Sequence, residues 1–411
     1  MTDYFDARET RPAEEREAEL FSQFPSFLKD IMARIPGWQS RLADVDIDHV
    51  NSREALAGLP VMRKPELMEA QATNPPFGGF VDQTLLAGTR VFMSPGPVWE
   101  PQSPGPDPWL AARAMHAAGI RKGDMALCSI GYTLTPGGSI LDEGLRALGA
   151  TVFPAGVGNT EVQAEAIETL KANVYVGTPD FLQAILDKAK ETGRDVSSLD
   201  TALVSGGALF PSMRAAYNEQ GIRVSQSYAT ADIGSIAHET WHGDTLCEGM
   251  ICNEDLILEI VRPGTNDPVP AGEVGEIVVT SFNKAYPLVR FGTEDMSAII
   301  SEPSPCGRTN VRIKGWMGRA DQRTKIKGMF VDPKQISEIV KSEPGVAQAK
   351  LVVSRQDQKD AMTLQVVGKN IDETRLLATF NSVTKLKGSL EVVKELPNDG
   401  KVIDDQRDYS S

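Results

Sequence analysis

The chain has few of the residues that would mark it as secreted, membrane-bound or nucleic-acid-binding. Four cysteines in 411 residues are too few for a disulfide framework, so reduced thiols are expected. No run of eighteen apolar residues occurs, which argues against a membrane-spanning helix. The start, Met1-Thr-Asp-Tyr-Phe-Asp-Ala-Arg8, lacks the basic-then-apolar order of a secretion signal, and the expected location is the cytoplasm. Basic residues are outnumbered, 42 Lys and Arg against 56 Asp and Glu, for a net charge of −14. An acidic body repels polyanions, so nucleic acid and anionic membrane are excluded as partners and local basic clusters must serve something small.

What is present suits a two-domain globular protein. The length exceeds what one core usually serves, and 41% apolar residues suffice for packing. Residues 11–35 place Phe24, Phe27, Leu28, Ile31 and Ile35 at helical spacing, which predicts an amphipathic helix against the body. From 71 to 108 proline and glycine are dense, with one short strand expected at Thr89–Met93. Apolar strand candidates at Ala126–Ile130, Thr151–Phe153, Val174–Val176, Ala202–Val204 and Ile222–Val224 then alternate with helical patterns. That alternation predicts a parallel sheet with helices on its faces. Its strand ends are rich in glycine and hydroxyls, and ligands of such sheets bind beyond those ends.

From 255 to 281 the pattern changes to a β meander, and from 317 to 333 the run Met-Gly-Arg-Ala-Asp-Gln-Arg-Thr-Lys-Ile-Lys-Gly-Met-Phe-Val-Asp-Pro reads as a charged joint. Beyond it, Asp332-Pro333 predicts an N-capped helix, followed by strands at 349–353 and 362–367, a helix at 373–382 and a strand near 390–394. The expected fold is α/β: a large N-terminal domain, 1–318, with parallel and mixed sheets flanked by helices plus a β-rich subdomain, and a small mobile α+β domain, 319–411.

Four motifs in order carry a resemblance: Val204-Ser-Gly-Gly-Ala208, Tyr228-Ala-Thr-Ala-Asp-Ile-Gly234, Pro287-Leu-Val-Arg-Phe-Gly-Thr-Glu-Asp295, and Gly318-Arg-Ala-Asp321 with Lys325-Ile-Lys-Gly328. Together they resemble the adenylate-forming, or acyl-activating, superfamily, in particular its phenylacetate:CoA ligase branch. The resemblance implies a two-step reaction. A carboxylate and ATP give an acyl-adenylate, a small C-terminal domain rotates, and the acyl group passes to CoA.

By the same resemblance Gly206, Gly207 and Ala208 lie along the adenine, Tyr228 with Ala229 stacks on it, Thr230 bonds the α-phosphate, and Asp232 holds Mg²⁺, with Glu239 as a helper. Asp295 takes the ribose hydroxyls with Arg319 beside it, and Asp321 is the hinge of a joint spanning 319–321. Lys325, Lys327 and Gly328 face CoA, and Lys401 of Gly400-Lys401-Val is the catalytic lysine. Charge neutralisation by a metal and positioned donors is the chemistry that a carboxylate attacking a phosphate needs. ATP or AMP, Mg²⁺ and CoA are the expected cofactors, a carboxylic acid the substrate, and a homodimer the expected assembly. Some relatives carry a zinc motif, and Cys247, Cys252, Cys306 and His238 are the corresponding set here.

The acyl pocket is expected at the strand ends, from Tyr132, Thr133, Pro136, Gly137, Ala155, Ala231 and Gly234, whose small residues leave room for an aryl or arylacetic group. One departure stands out. Where relatives carry a phosphate loop rich in Ser, Thr, Gly and Lys, this chain has Phe92-Met-Ser-Pro-Gly-Pro-Val-Trp-Glu-Pro101, without lysine or threonine and with prolines that lack N–H donors. Two other readings are therefore open at the level of sequence: a noncatalytic member that binds a nucleotide or acyl-adenylate, and an acyl transferase to an amine or carrier protein.

Overall fold

A computed structural model describes residues 3–94, 96–319, 324–356, 359–397 and 402–407. Asp321 and Lys401 lie outside these described residues. The chain forms two compact units, Met1–Trp316 and Met317–Ser411.

In the first unit the predicted parallel sheet is present. Strands Thr151–Phe153, Met125–Ser129, Val174–Gly177, Thr201–Val204 and Arg223–Thr230 run side by side in parallel, and Gly234–His238, Met250–Cys252, Arg312–Ile313 and Ile299–Ile300 extend them antiparallel to nine strands. Side-chain alternation explains why the central strands Met125–Ser129, Val174–Gly177 and Thr201–Val204 read as largely apolar along their whole length. Ala126, Cys128, Val174, Val176 and Leu203 enter one core with helices Ala111–Ala118 and Gly137–Leu148, whereas Leu127, Tyr175, Ala202, Val204 and Val224 enter another with helices Thr160–Leu170, Pro179–Thr192 and Pro211–Glu219.

A second sheet orders Met62–Arg63, Leu288–Ser297, Gly275–Ser281 and Leu256–Val261. Against it packs the predicted N-terminal helix, Ala13–Arg34, whose Phe24, Leu28 and Ile31 are fully buried. At its centre Arg290, fully buried, donates to both oxygens of Glu259 at 3.0 Å and to the carbonyls of Ala57, Leu59 and Asn266. This buried ion pair fixes the strand that carries Asp295.

The proline-rich stretch is more ordered than the sequence suggests. Val91–Ser94 and Val98–Pro101 pair as a tight hairpin, Met93 N–H donates to the Leu134 carbonyl at 2.8 Å, and Phe92 meets Trp109 edge to face. Among the described residues no helix is long and apolar enough to cross a membrane.

In the second unit Ser389–Val392, Lys359–Gly368, Val346–Gln356 and Ile403–Asp405 form a four-stranded sheet, with helices Pro333–Ser342 and Glu373–Thr384 over a common core. Asp332 and Gln335 cap the first helix reciprocally: Gln335 N–H donates to Asp332 Oδ1 at 3.2 Å and Asp332 N–H to Gln335 Oε1 at 3.0 Å. Thr324–Ile326 and Met329–Val331 form a hairpin whose turn, Lys327-Gly328, is left-handed at both residues. Arg319 and Lys325 both stand over the Phe330 ring.

Candidate active site

The site is built where the parallel strands end. After Val204 the chain turns through Ser205-Gly206-Gly207. Ser205 Oγ donates to the Ser227 carbonyl at 2.9 Å, and Gln226 Nε2 donates to the Gly207 carbonyl at 3.2 Å. This fastens the glycine turn to the strand that bears Tyr228. At that strand's end Thr230 Oγ1 accepts the Ile233 N–H at 3.3 Å, closing the turn Ala231-Asp232-Ile233. Gly234 then passes so close to Trp109 that a Cβ would lie 2.4 Å from its carbonyl oxygen, and its φ of +96° adds a second reason for glycine.

Tyr228 and Asp295, distant in sequence, are joined here. The Tyr228 hydroxyl donates to Asp295 Oδ2 at 2.8 Å, and Trp316 Nε1 donates to Oδ1 at 2.9 Å. Each carboxylate oxygen carries a second lone pair, so a carboxylate oriented in this way can still accept a diol. The pocket segments lie alongside. The Ala155 and Gly156 N–H groups donate to the Cys128 carbonyl at the tip of the neighbouring strand, at 3.0 and 3.1 Å. Tyr132 lies on the start of helix Gly137–Leu148, its hydroxyl donating to Asp142 at 3.0 Å, and leaves no room for a Cβ at Gly138. Thr133 is exposed, Pro136 buried, and Gly137 and Ala231 half-buried.

Asp232 has company that the sequence reading missed. Lys64 Nζ stands 3.2 Å from its Oδ2, and the Lys64 stem runs beneath Gly96 at the hairpin tip. Glu100, 2% exposed, is within hydrogen-bonding reach of Asp232 and accepts from Ser94 Oγ at 2.8 Å. Burial, then the adjacent Asp232 charge, pushes the Glu100 carboxyl well above its usual range. Burial pulls the Lys64 ammonium down, but Asp232 and Glu100 outweigh it and hold it above its ordinary value. Glu100 Oε2, Asp232 Oδ1 and the Tyr286 hydroxyl are all buried without a hydrogen-bond partner. The hairpin that stands in place of a phosphate loop thus closes over a lysine and two acids. The sequence signal was faint: one glutamate between prolines, and a lysine at a helix start 36 residues earlier.

Two expectations are corrected. Glu239 spends both oxygens on structure, accepting from Arg214 Nη2 at 2.6 Å and from the Gln226 N–H at 2.7 Å, so it is a strut and not a metal ligand. The zinc set is not assembled either. Cys306 Sγ sits among Ser304 Oγ, Thr240 Oγ1 and the Arg308 guanidinium, a cation that would repel a metal, while Cys252 Sγ donates to the Asn253 carbonyl. His238 is fully buried, and desolvation with the Arg308 and Arg113 charges holds its pKa near 3. Among the described residues no group of three or more His, Cys, Asp or Glu is arranged to hold a metal, and all four cysteines are free and buried.

Comparison with known proteins matches residues 144–285 to the AMP-binding enzyme family. A phenylacetate-coenzyme A ligase of Aromatoleum evansii is 30% identical over 354 residues, spanning 80% of this chain and 78% of that one. The chain belongs to the phenylacetate-CoA ligase family. A Thermus thermophilus phenylacetate-coenzyme A ligase is 29% identical, over 87% of this chain and 82% of the relative. A crystal structure of 2-hydroxyisobutyryl-CoA ligase superposes with a TM-score of 0.80 over 98% of this chain and 92% of that one at 23% identity, which shows the shared fold. As a member of the phenylacetate-CoA ligase family the protein is an AMP-forming acyl-CoA ligase, which joins a carboxylate to CoA through an acyl-adenylate. The two alternatives left open by the sequence are not favoured.

Proposed function

We propose that the acid activated is an aryl or arylacetic carboxylate. The relatives at about 30% identity over most of the chain carry the reading, and the small residues at the strand ends support a flat acyl group. In this reading Gly206, Gly207 and Ala208 lie along the adenine with Tyr228 and Ala229, Asp295 takes the ribose hydroxyls, and Thr230 donates to the α-phosphate. Tyr132, Thr133, Pro136, Gly137, Ala155, Ala231 and Gly234 border the acyl group.

The chain's own contribution is to orient and to exclude water. Asp295 is held from both sides by Tyr228 and Trp316, so its oxygens are set before nucleotide arrives and little ordering cost falls on binding. Its 8% exposure strengthens each bond that it accepts. Mg²⁺, when bound, would neutralise phosphate charge, and Asp232, with a buried oxygen lacking a partner, has the donor chemistry to hold it. Lys401, Arg319, Lys325, Lys327 and Gly328 are assigned to the second unit's part in adenylation and CoA transfer, with Asp321 as the hinge. We further propose a cytoplasmic location, in keeping with four free, buried thiols, and a homodimeric assembly. Incubation with MgATP, CoA and a panel of aromatic and aliphatic acids tests the reading: aryl or arylacetic acids should give acyl-CoA and AMP, and turnover of short aliphatic acids alone would refute the substrate class.

A further inference from the structure

We propose that Cys306 and Cys247 form a reversible oxidation site, in which Cys306 is the nucleophilic thiol that reduces a peroxide and Cys247 resolves the product into a disulfide. Neither residue takes part in the ligase reading.

Cys306 lies in the loop between strands Ile299–Ile300 and Arg312–Ile313, and Cys247 directly follows the hairpin of Trp241–His242 with Thr245–Leu246. Thr240 brings the two together. Its hydroxyl stands 3.3 Å from Cys306 Sγ, its carbonyl accepts the Cys247 N–H at 2.9 Å, and the two thiols lie within hydrogen-bonding reach of each other. Both cysteines are buried, yet their chain neighbours Pro305, Gly307 and Glu248 are exposed, so a molecule the size of a peroxide has a short path to them.

The surroundings make the two sulfurs unequal. Besides the Thr240 hydroxyl, Cys306 Sγ has Ser304 Oγ at 3.1 Å and Arg308 Nη1 at 3.6 Å. Arg308 Nη2 pairs with Glu9 at 3.1 Å and donates to the Asp3 carbonyl at 3.2 Å, which leaves Nη1 turned to the sulfur. A guanidinium and two hydroxyls stabilise a thiolate, the reactive form of cysteine. Burial pushes the Cys306 thiol up, but Ser304, Thr240 and Arg308 outweigh it and hold it below its ordinary value, whereas burial raises Cys247. Burial also pushes Cys128 and Cys252 up to about 12, which makes them internal controls.

The chemistry balances with hydrogen peroxide as oxidant. The Cys306 thiolate attacks one peroxide oxygen, an S–O bond forms, the O–O bond breaks, and the departing hydroxide takes a proton to leave as water. Cys247 sulfur then attacks the sulfenic sulfur. The S–S bond forms, the S–O bond breaks, and the leaving hydroxide carries off the Cys247 proton as a second water.

Hydrogen peroxide added to the reduced full-length protein, followed by alkylation of the remaining thiols and peptide mass mapping, tests the proposal. Wild type should fall from four free thiols to two, with a peptide pair joined through Cys247 and Cys306 that dithiothreitol releases. Cys247→Ser should stop at a Cys306 sulfenic acid that dimedone captures, and Cys306→Ser should give neither adduct nor cross-link. Arg308→Gln should slow the oxidation roughly tenfold, and Arg308→Lys should recover most of the rate. Four free thiols in wild type after peroxide has oxidised free cysteine in a parallel sample, or a cross-link through Cys128 or Cys252, would overturn the proposal. Should a variant fail to fold, the wild-type map decides alone.

Discussion

The Tyr228 hydroxyl and the Asp295 carboxylate meet at 2.8 Å, and with that one bond the strand Arg223–Thr230 of the nine-stranded sheet is tied to Leu288–Ser297 of the four-stranded sheet. Both residues are 8% exposed, so the bond is made in a medium where each member depends on the other. Asp295→Ala should cost about 1.5 to 3 kcal/mol of AMP affinity by calorimetry, as expected for hydrogen bonds to a charged group. Tyr228→Phe should cost less, and the double variant should fall short of the sum by about 0.5 kcal/mol or more. Additive losses would show that the two residues act on nucleotide separately.

Arg290 should be worth more to stability than any residue that touches substrate. It is fully buried against Glu259, and Arg290→Met leaves that carboxylate in the core without its partner. Urea unfolding should show a loss of about 3 to 5 kcal/mol. The companion change Glu259→Leu in the Arg290→Met background should restore part of it.

His238 predicts an acid-side loss of stability with a definite sign. Its folded pKa, about 3, lies below the ordinary 6.5, so the unfolded chain takes up a proton that the folded chain refuses. Stability from this group is complete above pH 6.5 and declines as pH falls toward 3, by roughly 1.4 kcal/mol per unit. His238→Asn should flatten the wild-type slope between pH 6.5 and 5, whatever its effect at neutral pH. An unchanged slope would place the lost protons elsewhere.

Much of this architecture is legible in the sequence because the signals are local. Strand Leu256–Val261, helix Glu373–Thr384 and the Asp332-capped helix follow from apolar period and cap chemistry confined to a few residues. The short antiparallel strands Met250–Cys252, Ile299–Ile300 and Arg312–Ile313 do not, since two or three residues carry no period and their pairing is decided by partners up to 63 residues away. The site divides in the same way. Gly206, Tyr228 and Asp295 sit in contiguous motifs. Lys64 and Glu100 belong to none, and only folding brings them to Asp232. The opposite error, Glu239 and the cysteine set, came from residue types that suit a metal in positions where Arg214 and Arg308 had already claimed them.

The central claim is that this chain, lacking the usual phosphate loop, still forms an acyl-adenylate from ATP. Pyrophosphate release with Mg²⁺, ATP and a panel of aromatic acids measures that step directly, with Lys401→Ala as the control. The account predicts acid-dependent pyrophosphate and AMP, with Lys401→Ala slower by roughly 10²- to 10³-fold. Tight AMP binding with no pyrophosphate released for any acid would contradict it.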